Sequence, residues 1–372
     1  MSTLEVAAQK LQDARYYLDV FGPCDGDTST QSRHIKAVFR DFAKTIHPDL
    51  YGEEESERAN KAFSLLQKFF EEAEQAVRQG TYGKPFSIAT LTSKIGEHWL
   101  TRHMHSTTAF DMYEAVSEID GESFSTVVRI AKDSAGEQHS LQELETLNAL
   151  WEFDDPELRP FLPTIVDDCK TAVNGMSYQV NVFEKLEKMY SLEEVRTAFP
   201  NGLDPQHAVW IWRRLLFPLS IIHQQGILHG SVLPNHVMIH PEKHGVVLVN
   251  WCSSSHKLED SEEYRVILGL SSSRYDDWLP DEVRRSEAPS PATDIMMAAR
   301  CMIYLMGGDP LWGNLPEDKV PKALRAFFKG CLSKQQSRRP QNAYELLKEF
   351  DELLERMGEP YHPRRFVKFT MP

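Results

Sequence analysis

The stretch His229–His236 reads HGSVLPNH and lies between a predicted long helix and a predicted strand. The helix is expected to begin at Asp204-Pro205, where aspartate caps the first turn and proline takes its first position. Its apolar residues continue to Ile222 and are numerous enough to place the helix at the centre of a lobe. The strand is predicted at residues 246–250.

Three further motifs follow this stretch in the chain. They are WLPDE at residues 278–282, PATDIM at residues 291–296, and Arg339-Pro340. Together with HGSVLPNH, they resemble the central helix, catalytic loop and later motifs of protein kinases, and the resemblance covers residues 86–356. It implies a bilobal domain with a small β-rich lobe and a large helical lobe.

The resemblance implies structural roles for four residues. His229 begins the segment that matches the catalytic loop, and Asp294 stands where kinases place the acid that braces this loop. Glu282 and Arg339 stand where kinases have a buried ion pair, so we predict that these two side chains meet.

In the small lobe, residues 126–131 predict a buried strand, and a helix follows it. Aligning this strand with the lysine strand of kinases puts Arg129 at the lysine position, unless the register slips and Lys132 takes that role. Successive residues of a strand point to opposite faces, so only one of the two can face the cleft. Glu143 on the helix is the expected partner.

Phosphoryl transfer requires a phosphate-binding loop, a base and metal ligands. Residues 97–120 contain no glycine, although glycines let backbone amides approach phosphates closely. Ser231 replaces the aspartate base, His236 replaces a metal-binding asparagine, and Asn250 replaces the metal-binding aspartate. Because a hydroxyl is a poor base and an amide oxygen a poor magnesium ligand, we expect no catalytic residues and therefore a pseudokinase.

The N-terminal eighty residues have a different pattern. A helix is signalled from Leu4 towards Phe21, a second over residues 30–46, and a third over residues 53–78. The turn His47-Pro48-Asp49 separates the second helix from the third, because proline forbids helix continuation. Four cations recur at helical spacing on one face of the second helix: Arg33, Lys36, Arg40 and Lys44.

These features resemble the J domain of DnaJ-type co-chaperones over residues 5–80. The resemblance implies that the basic helix and the His47-Pro48-Asp49 turn dock on the ATPase domain of a DnaK-type chaperone. Four clustered cations would steer such an encounter. The alternative interpretation is an ordinary solvated face followed by a common turn.

Composition limits the other possibilities. The 372 residues are 41% hydrophobic and 26% charged, as in globular proteins, and the formal net charge of -14 disfavours nucleic-acid binding. The five cysteines are scattered and predict neither disulfides nor a zinc site. The sequence offers neither a signal peptide nor a transmembrane segment, so we expect a cytoplasmic protein without metal or cofactor.

The predicted fold class is therefore α+β, with an all-α J domain followed by a bilobal kinase-like domain. The predicted boundaries are 1–80 for the J domain, 81–90 for a linker, 91–190 for the small lobe, 191–356 for the large lobe and 357–372 for a tail. The aromatic and basic tail is expected to pack back on the domain.

Three functions follow as hypotheses. The first is a co-chaperone or adaptor that recruits and stimulates a DnaK-type ATPase toward a partner, protein or ligand, bound by the pseudokinase. The second is an atypical ATP-binding phosphotransferase. The third is a non-catalytic sensor or scaffold in a bacterial stress or anti-phage pathway.

Overall fold

The computed structural model describes residues 3–14, 16–83, 87–173, 175–267 and 274–372. The chain divides into two compact units, one of Met1–His105 with Met112–Val128 and one of Ser106–Asp111 with Arg129–Pro372. Helices and strands both contribute, so the predicted α+β class is confirmed. Among the residues just given, no helix is long and apolar enough to cross a membrane.

The first unit begins with helices. The predicted first helix is wrong in one respect, because Tyr16 has an extended backbone and separates two helices where one was expected. Asp27 caps the third helix by accepting a hydrogen bond from the Thr30 amide at 2.8 Å. The helices are α1 (Thr3–Asp13), α2 (Tyr17–Phe21), α3 (Thr28–Ile46) and α4 (Glu53–Gln79).

The apolar stripes of these helices form one core. Ile35 and Ile46 of α3 and Leu66 of α4 are fully buried, and the rings of Phe39 and Phe70 lie 4.5 Å apart. Burial of an aliphatic side chain of this size contributes about 2 kcal/mol. The inward stripe leaves the cations of α3 on the solvent side of the helix.

A six-stranded sheet follows, in the order β1-β2-β3-β4-β6-β5. Helix α5 (Ser134–Glu152) interrupts the strands after β4, and Asp133 caps it by accepting from the Gly136 amide at 2.7 Å. The strands are β1 (Ala89–Thr92), β2 (Gly96–Ser106), β3 (Phe110–Ile119), β4 (Glu122–Ala131), β5 (Ile165–Val173) and β6 (Met176–Glu184).

The remainder of the second unit is mainly helical. Its core surrounds α7 (Pro205–Gln224), where Trp212 and Leu215 are fully buried, as the apolar sequence predicted. Short strands β7 (Tyr190–Ser191), β8 (Ile227–Leu228), β9 (Val237–His240), β10 (Gly245–Leu248) and β11 (Ser255–His256) accompany helices α6 (Leu192–Ala198), α8 (Asp281–Arg284), α9 (Pro291–Leu305), α10 (Lys322–Gly330) and α11 (Ala343–Met357).

The C-terminal tail packs on this unit, which confirms the prediction made for it. The ring of Phe369 lies 5.6 Å from Phe199 and 4.8 Å from His207. Phe366 stacks on His244 at 4.0 Å, and His244 stacks in turn on Trp210 at 4.1 Å.

Candidate functional site

A buried ion pair links β4 to α5. The Arg129 side chain is 4% exposed and Glu143 is 1% exposed. Arg129 Nη1 donates to Glu143 Oε1 at 3.3 Å, and Nη2 contacts the other carboxylate oxygen. Glu143 also accepts from Asn181 Nδ2 at 3.2 Å and from the Trp251 amide at 2.9 Å. These added bonds offset the cost of burying a carboxylate.

The lysine three residues further along takes no part in this contact. Lys132 Nζ donates to Ser106 Oγ at 2.9 Å and to the Thr107 carbonyl at 3.0 Å, and it lies 3.5 Å from Asp111. The sequence left open whether Arg129 or Lys132 takes the cleft position. In the structure it is Arg129 that pairs with Glu143.

A chain of hydrogen bonds continues from Arg129 through Asn250 to His236. Arg129 Nη1 donates to Asn250 Oδ1 at 3.4 Å, a long contact, and Asn250 Nδ2 lies 2.6 Å from His236 Nε2. His236 Nδ1 lies 2.8 Å from the Ser231 carbonyl. Asn250 has a φ of 64°, a left-handed conformation that asparagine tolerates better than most residues.

The geometry fixes the protonation of His236. A carbonyl can only accept, so Nδ1 carries the hydrogen, and Nε2 is left to accept from the Asn250 amide. Burial, reinforced by the nearby charges of His229 and Arg129, lowers the pKa of His236 to about 3. His236 is therefore neutral at pH 7, and both ends of the Asn250 amide are engaged by protein atoms.

The Ser231 hydroxyl is also engaged, because it donates to the Asn250 carbonyl at 3.4 Å. Ser231 is 5% exposed, and its amide donates to His229 Nδ1 at 3.4 Å. In the described parts of the chain, no group of three or more His, Cys, Asp or Glu side chains is placed to hold a metal ion.

The turn that connects β2 with β3 packs against the same cleft, next to Arg129 and α5. The amides of Ala109 and Phe110 donate to Thr107 Oγ1 at 3.3 and 2.9 Å. The Phe110 ring centroid lies 4.7 Å from the Arg129 guanidinium carbon, which is a cation–π geometry. A Cβ at Gly136 would approach the Ala109 carbonyl to 2.3 Å, so the β2–β3 turn rests on the first turn of α5.

Three chemical groups that line this cleft were not predicted from the sequence. They are the Phe110 ring, the Asn181 amide and the Trp251 backbone amide, which contact Arg129 or Glu143. Asn181 had one available signal, since it is a polar residue between Val180 and Val182 and would need a partner if this segment were buried.

The segment before the cleft is braced by Asp294, at the position predicted for it. Its carboxylate accepts from the amides of His229 and Gly230, both at 2.9 Å, and lies 3.0 Å from His223 Nε2. Gly230 has a φ of 75°, and a Cβ there would lie 2.0 Å from the Ser253 carbonyl. Only glycine fits this position.

The predicted contact of Glu282 with Arg339 is present. Two parallel hydrogen bonds of 2.5 and 3.0 Å join the side chains, which are almost fully buried. Thr293 Oγ1 donates to Glu282 at 3.0 Å, and Arg339 donates further to the Ser333 carbonyl at 2.6 Å. Burial acts to raise the pKa of Glu282, but the hydrogen bonds from Arg339 and Thr293, a backbone hydrogen bond and the charge of Arg339 together lower it.

In the first unit, His47 ends α3 and begins a tight turn. The His47 amide donates to the Ala43 carbonyl at 3.0 Å, and the Asp49 amide donates to His47 Nδ1 at 3.3 Å. The imidazole packs 5.1 Å from the Phe63 ring, whereas the Asp49 side chain is 88% exposed. The turn therefore holds His47 in place and presents Asp49 to solvent.

The four cations of α3 are all exposed. Lys44 lies 3.2 Å from Asp41 and Lys36 lies 3.9 Å from Glu74, so these two are partly neutralised. Within the described residues, Arg33 and Arg40 form no ion pair within 4.0 Å. They carry the accessible positive charge of this face.

Taken together, the sheet with its Arg129–Glu143 pair, the braced loop and the Glu282–Arg339 pair have the arrangement of a protein-kinase-like fold. The kinase domain of BubR1 superposes on 73% of this chain and 84% of its own length, with a TM-score of 0.54 and 13% sequence identity. The PknI kinase domain of Mycobacterium tuberculosis covers 71% of this chain and 98% of its own, with a TM-score of 0.50 and 14% identity.

At such identities the likeness concerns the fold alone. No protein-family model matches the chain, and no curated protein matches it significantly.

Proposed function

We propose that this protein is a co-chaperone or adaptor in which a catalytically inactive kinase-like domain binds a partner and an N-terminal J domain recruits a DnaK-type chaperone. The J domain would comprise residues 1–80, the linker 81–90, the small lobe 91–190, the large lobe 191–356 and the tail 357–372. The protein would act in the cytoplasm, without metal or cofactor.

The observation that carries the inactive assignment is the chain from Arg129 through Asn250 to His236. Each polar group that would have to face magnesium or a substrate hydroxyl is instead bonded to a protein neighbour. Phe110 adds an apolar cover above the guanidinium. Magnesium binding here would require breaking these contacts, and Asn250 offers only an amide oxygen, which is a weaker ligand than a carboxylate.

The J-type assignment is supported by the turn and the basic face of the first unit. His47 packs against Phe63, the Asp49 carboxylate is exposed, and Arg33 and Arg40 carry accessible charge along α3, which ends at this turn. A hydrogen-bonded turn at the end of a basic helix suits a contact in which charge steers the encounter and the turn supplies specificity.

The test is the steady-state ATPase rate of a bacterial DnaK with the purified full chain. We expect stimulation by the wild type, loss of stimulation with His47→Gln, and weaker stimulation with Arg40→Ala. Lys61→Ala is the matched control, because Lys61 is an exposed cation of the neighbouring helix paired only locally with Glu57 at 2.7 Å. Equal stimulation by the wild type and His47→Gln would refute the co-chaperone assignment.

One observation favours the alternative of an atypical phosphotransferase, namely the intact ion pair of Arg129 with Glu143. Thermal shift with ATP, with and without magnesium, separates the two proposals. The inactive assignment predicts no magnesium-dependent shift. A robust shift that Asn250→Ala abolishes would support the phosphotransferase instead.

A further inference from the structure

A short turn of the second unit exposes two large apolar side chains. Trp312 is 67% exposed and its neighbour Leu311 is 40% exposed. Tryptophan is costly to leave in water and is the residue type most enriched among the anchors of protein interfaces. An exposed tryptophan next to a leucine therefore calls for a partner surface.

The turn is rigid, which suits an anchor. Asp309 Oδ1 accepts from the amides of Leu311 at 2.9 Å and Trp312 at 3.2 Å, and the Asp309 carbonyl accepts from the Gly313 amide at 2.8 Å. The Asp309 amide donates to the Asn314 carbonyl at 2.8 Å and closes the turn. Little conformational entropy would remain to be lost on binding.

A groove of about 590 Å³ lies beside this turn, between α10 and α11. Phe327, Leu346 and Leu353 contribute apolar walls, and Gly330 and Cys331 lie at the end of α10. The turn touches the same end, because a Cβ on Gly313 would come within 2.8 Å of Leu332. An exposed anchor and a partly apolar groove thus adjoin the same end of α10.

The charges along the groove identify the occupant. Two exposed glutamates, Glu349 and Glu352, and two exposed arginines, Arg338 and Arg356, line it, and all of these except Arg338 belong to α11. Glu352 and Arg356 approach each other only to 3.9 Å. If two α11 helices ran antiparallel, the arginine at the end of one helix would meet the glutamates of the other, which makes this face complementary to itself.

We infer that a second copy of this chain occupies the groove. The two copies associate about a two-fold axis, each inserts Trp312 into the groove of the other, and Arg356 of each copy pairs with Glu349 of the other. This association does not depend on the proposed co-chaperone function. It would, however, present two chaperone-recruiting modules in one assembly.

Multi-angle light scattering of the full chain tests this inference. We expect a mass of twice 42.7 kDa at micromolar concentration, and a Kd raised at least about tenfold by Trp312→Ala, as truncation of an interface anchor produces. Met176→Ala is the matched control, because Met176 is 58% exposed and lies in the sheet. Far-UV circular dichroism verifies that each variant is folded.

A charge exchange makes the test specific to the two-fold arrangement. Glu349→Arg and Arg356→Glu should each weaken association, and the double variant should restore it, because each copy then offers the reversed pair. A mass of 42.7 kDa at 100-fold higher concentration, association unchanged by Trp312→Ala, or a double variant no stronger than either single one would each overturn the inference.

Discussion

The second unit contains two buried arginine–glutamate pairs of the same chemistry in different surroundings. Arg339 bonds Glu282 through both carboxylate oxygens, and its remaining hydrogens reach the carbonyls of Ser333 and Lys334. Arg129 bonds Glu143, but within the described residues its buried Nε has no acceptor.

The Arg129 guanidinium relies instead on two aromatic faces. The rings of Phe110 and Phe183 lie 4.7 and 5.6 Å from its central carbon. Burial lowers the pKa of Arg129, but an arginine remains charged at pH 7. The Glu282–Arg339 pair is thus fully hydrogen-bonded, whereas the Arg129–Glu143 pair is held partly by less directional contacts with aromatic rings.

The largest expected effect is on the fully bonded pair. Arg339→Met should destabilise the protein by about 4 kcal/mol, because it leaves the buried Glu282 carboxylate without its ion-pair partner. Urea denaturation followed by tryptophan fluorescence measures this loss. Arg339→Lys serves as the milder companion if the methionine variant does not fold, and a loss below about 1 kcal/mol in both would contradict the comparison.

Breaking the Arg129–Glu143 pair should reduce stability less than breaking the Glu282–Arg339 pair. Arg129→Met should cost about 3 kcal/mol, because Glu143 keeps its bonds from Asn181 and Trp251 and methionine can still pack against Phe110 and Phe183. The same urea titration checks it. If Arg129→Met proved more damaging than Arg339→Met, the cleft pair would be the stronger structural element and the comparison would be reversed.

The cleft should also be sensitive to acid. Burial lowers the pKa of His229 to about 4 and that of His236 to about 3, from an ordinary value of 6.5. The unfolded chain therefore binds protons below pH 6.5 while the folded chain does not, so stability falls as the pH drops toward these lower values and the loss levels off below them.

We expect His236→Asn to remove part of this dependence of stability on pH. The variant should lose less stability than the wild type between pH 6.5 and 5, by at most about 2 kcal/mol, since one pKa unit corresponds to about 1.4 kcal/mol. Asparagine also keeps a hydrogen-bonding amide beside Asn250. Urea midpoints at several pH values provide the measurement, and parallel curves for the two proteins would show that His236 does not resist protonation.

The predictability of these regions from sequence differs for a physical reason. Glu282, Asp294 and Arg339 stand at fixed offsets within motifs, so their partners could be named in advance. The pairing of Arg129 with Glu143 was predicted too, but Arg129 also contacts Asn250 at a separation of 121 residues, and no motif specifies that contact. Nothing local specifies which aromatic ring will lie on a guanidinium, and Phe110 was missed for that reason.

The sequence of the first unit also lacks a local signal for one helix end. The break between α1 and α2 rests on the extended backbone of Tyr16 and on its amide, which donates to Asp19 at 3.3 Å. No glycine or proline marks the break, so apolar periodicity alone predicted a continuous helix. The third helix has a capping aspartate and is followed by Pro48, and the fourth helix lies between Gly52 and Gly80; both were predicted to within two residues.

The smallest loss of stability is expected at Lys132, and it tests which residue of β4 faces the cleft. Lys132→Met should cost less than about 1 kcal/mol, because Lys132 is 33% exposed and its contacts with Ser106, Thr107 and Asp111 lie at the turn between β2 and β3. Arg129→Met is the matched variant, since it removes one positive charge three residues earlier on the same strand. Equal losses for the two variants would mean that Lys132 shares the cleft position, because only a side chain that bonds Glu143 leaves a buried carboxylate behind when it is removed.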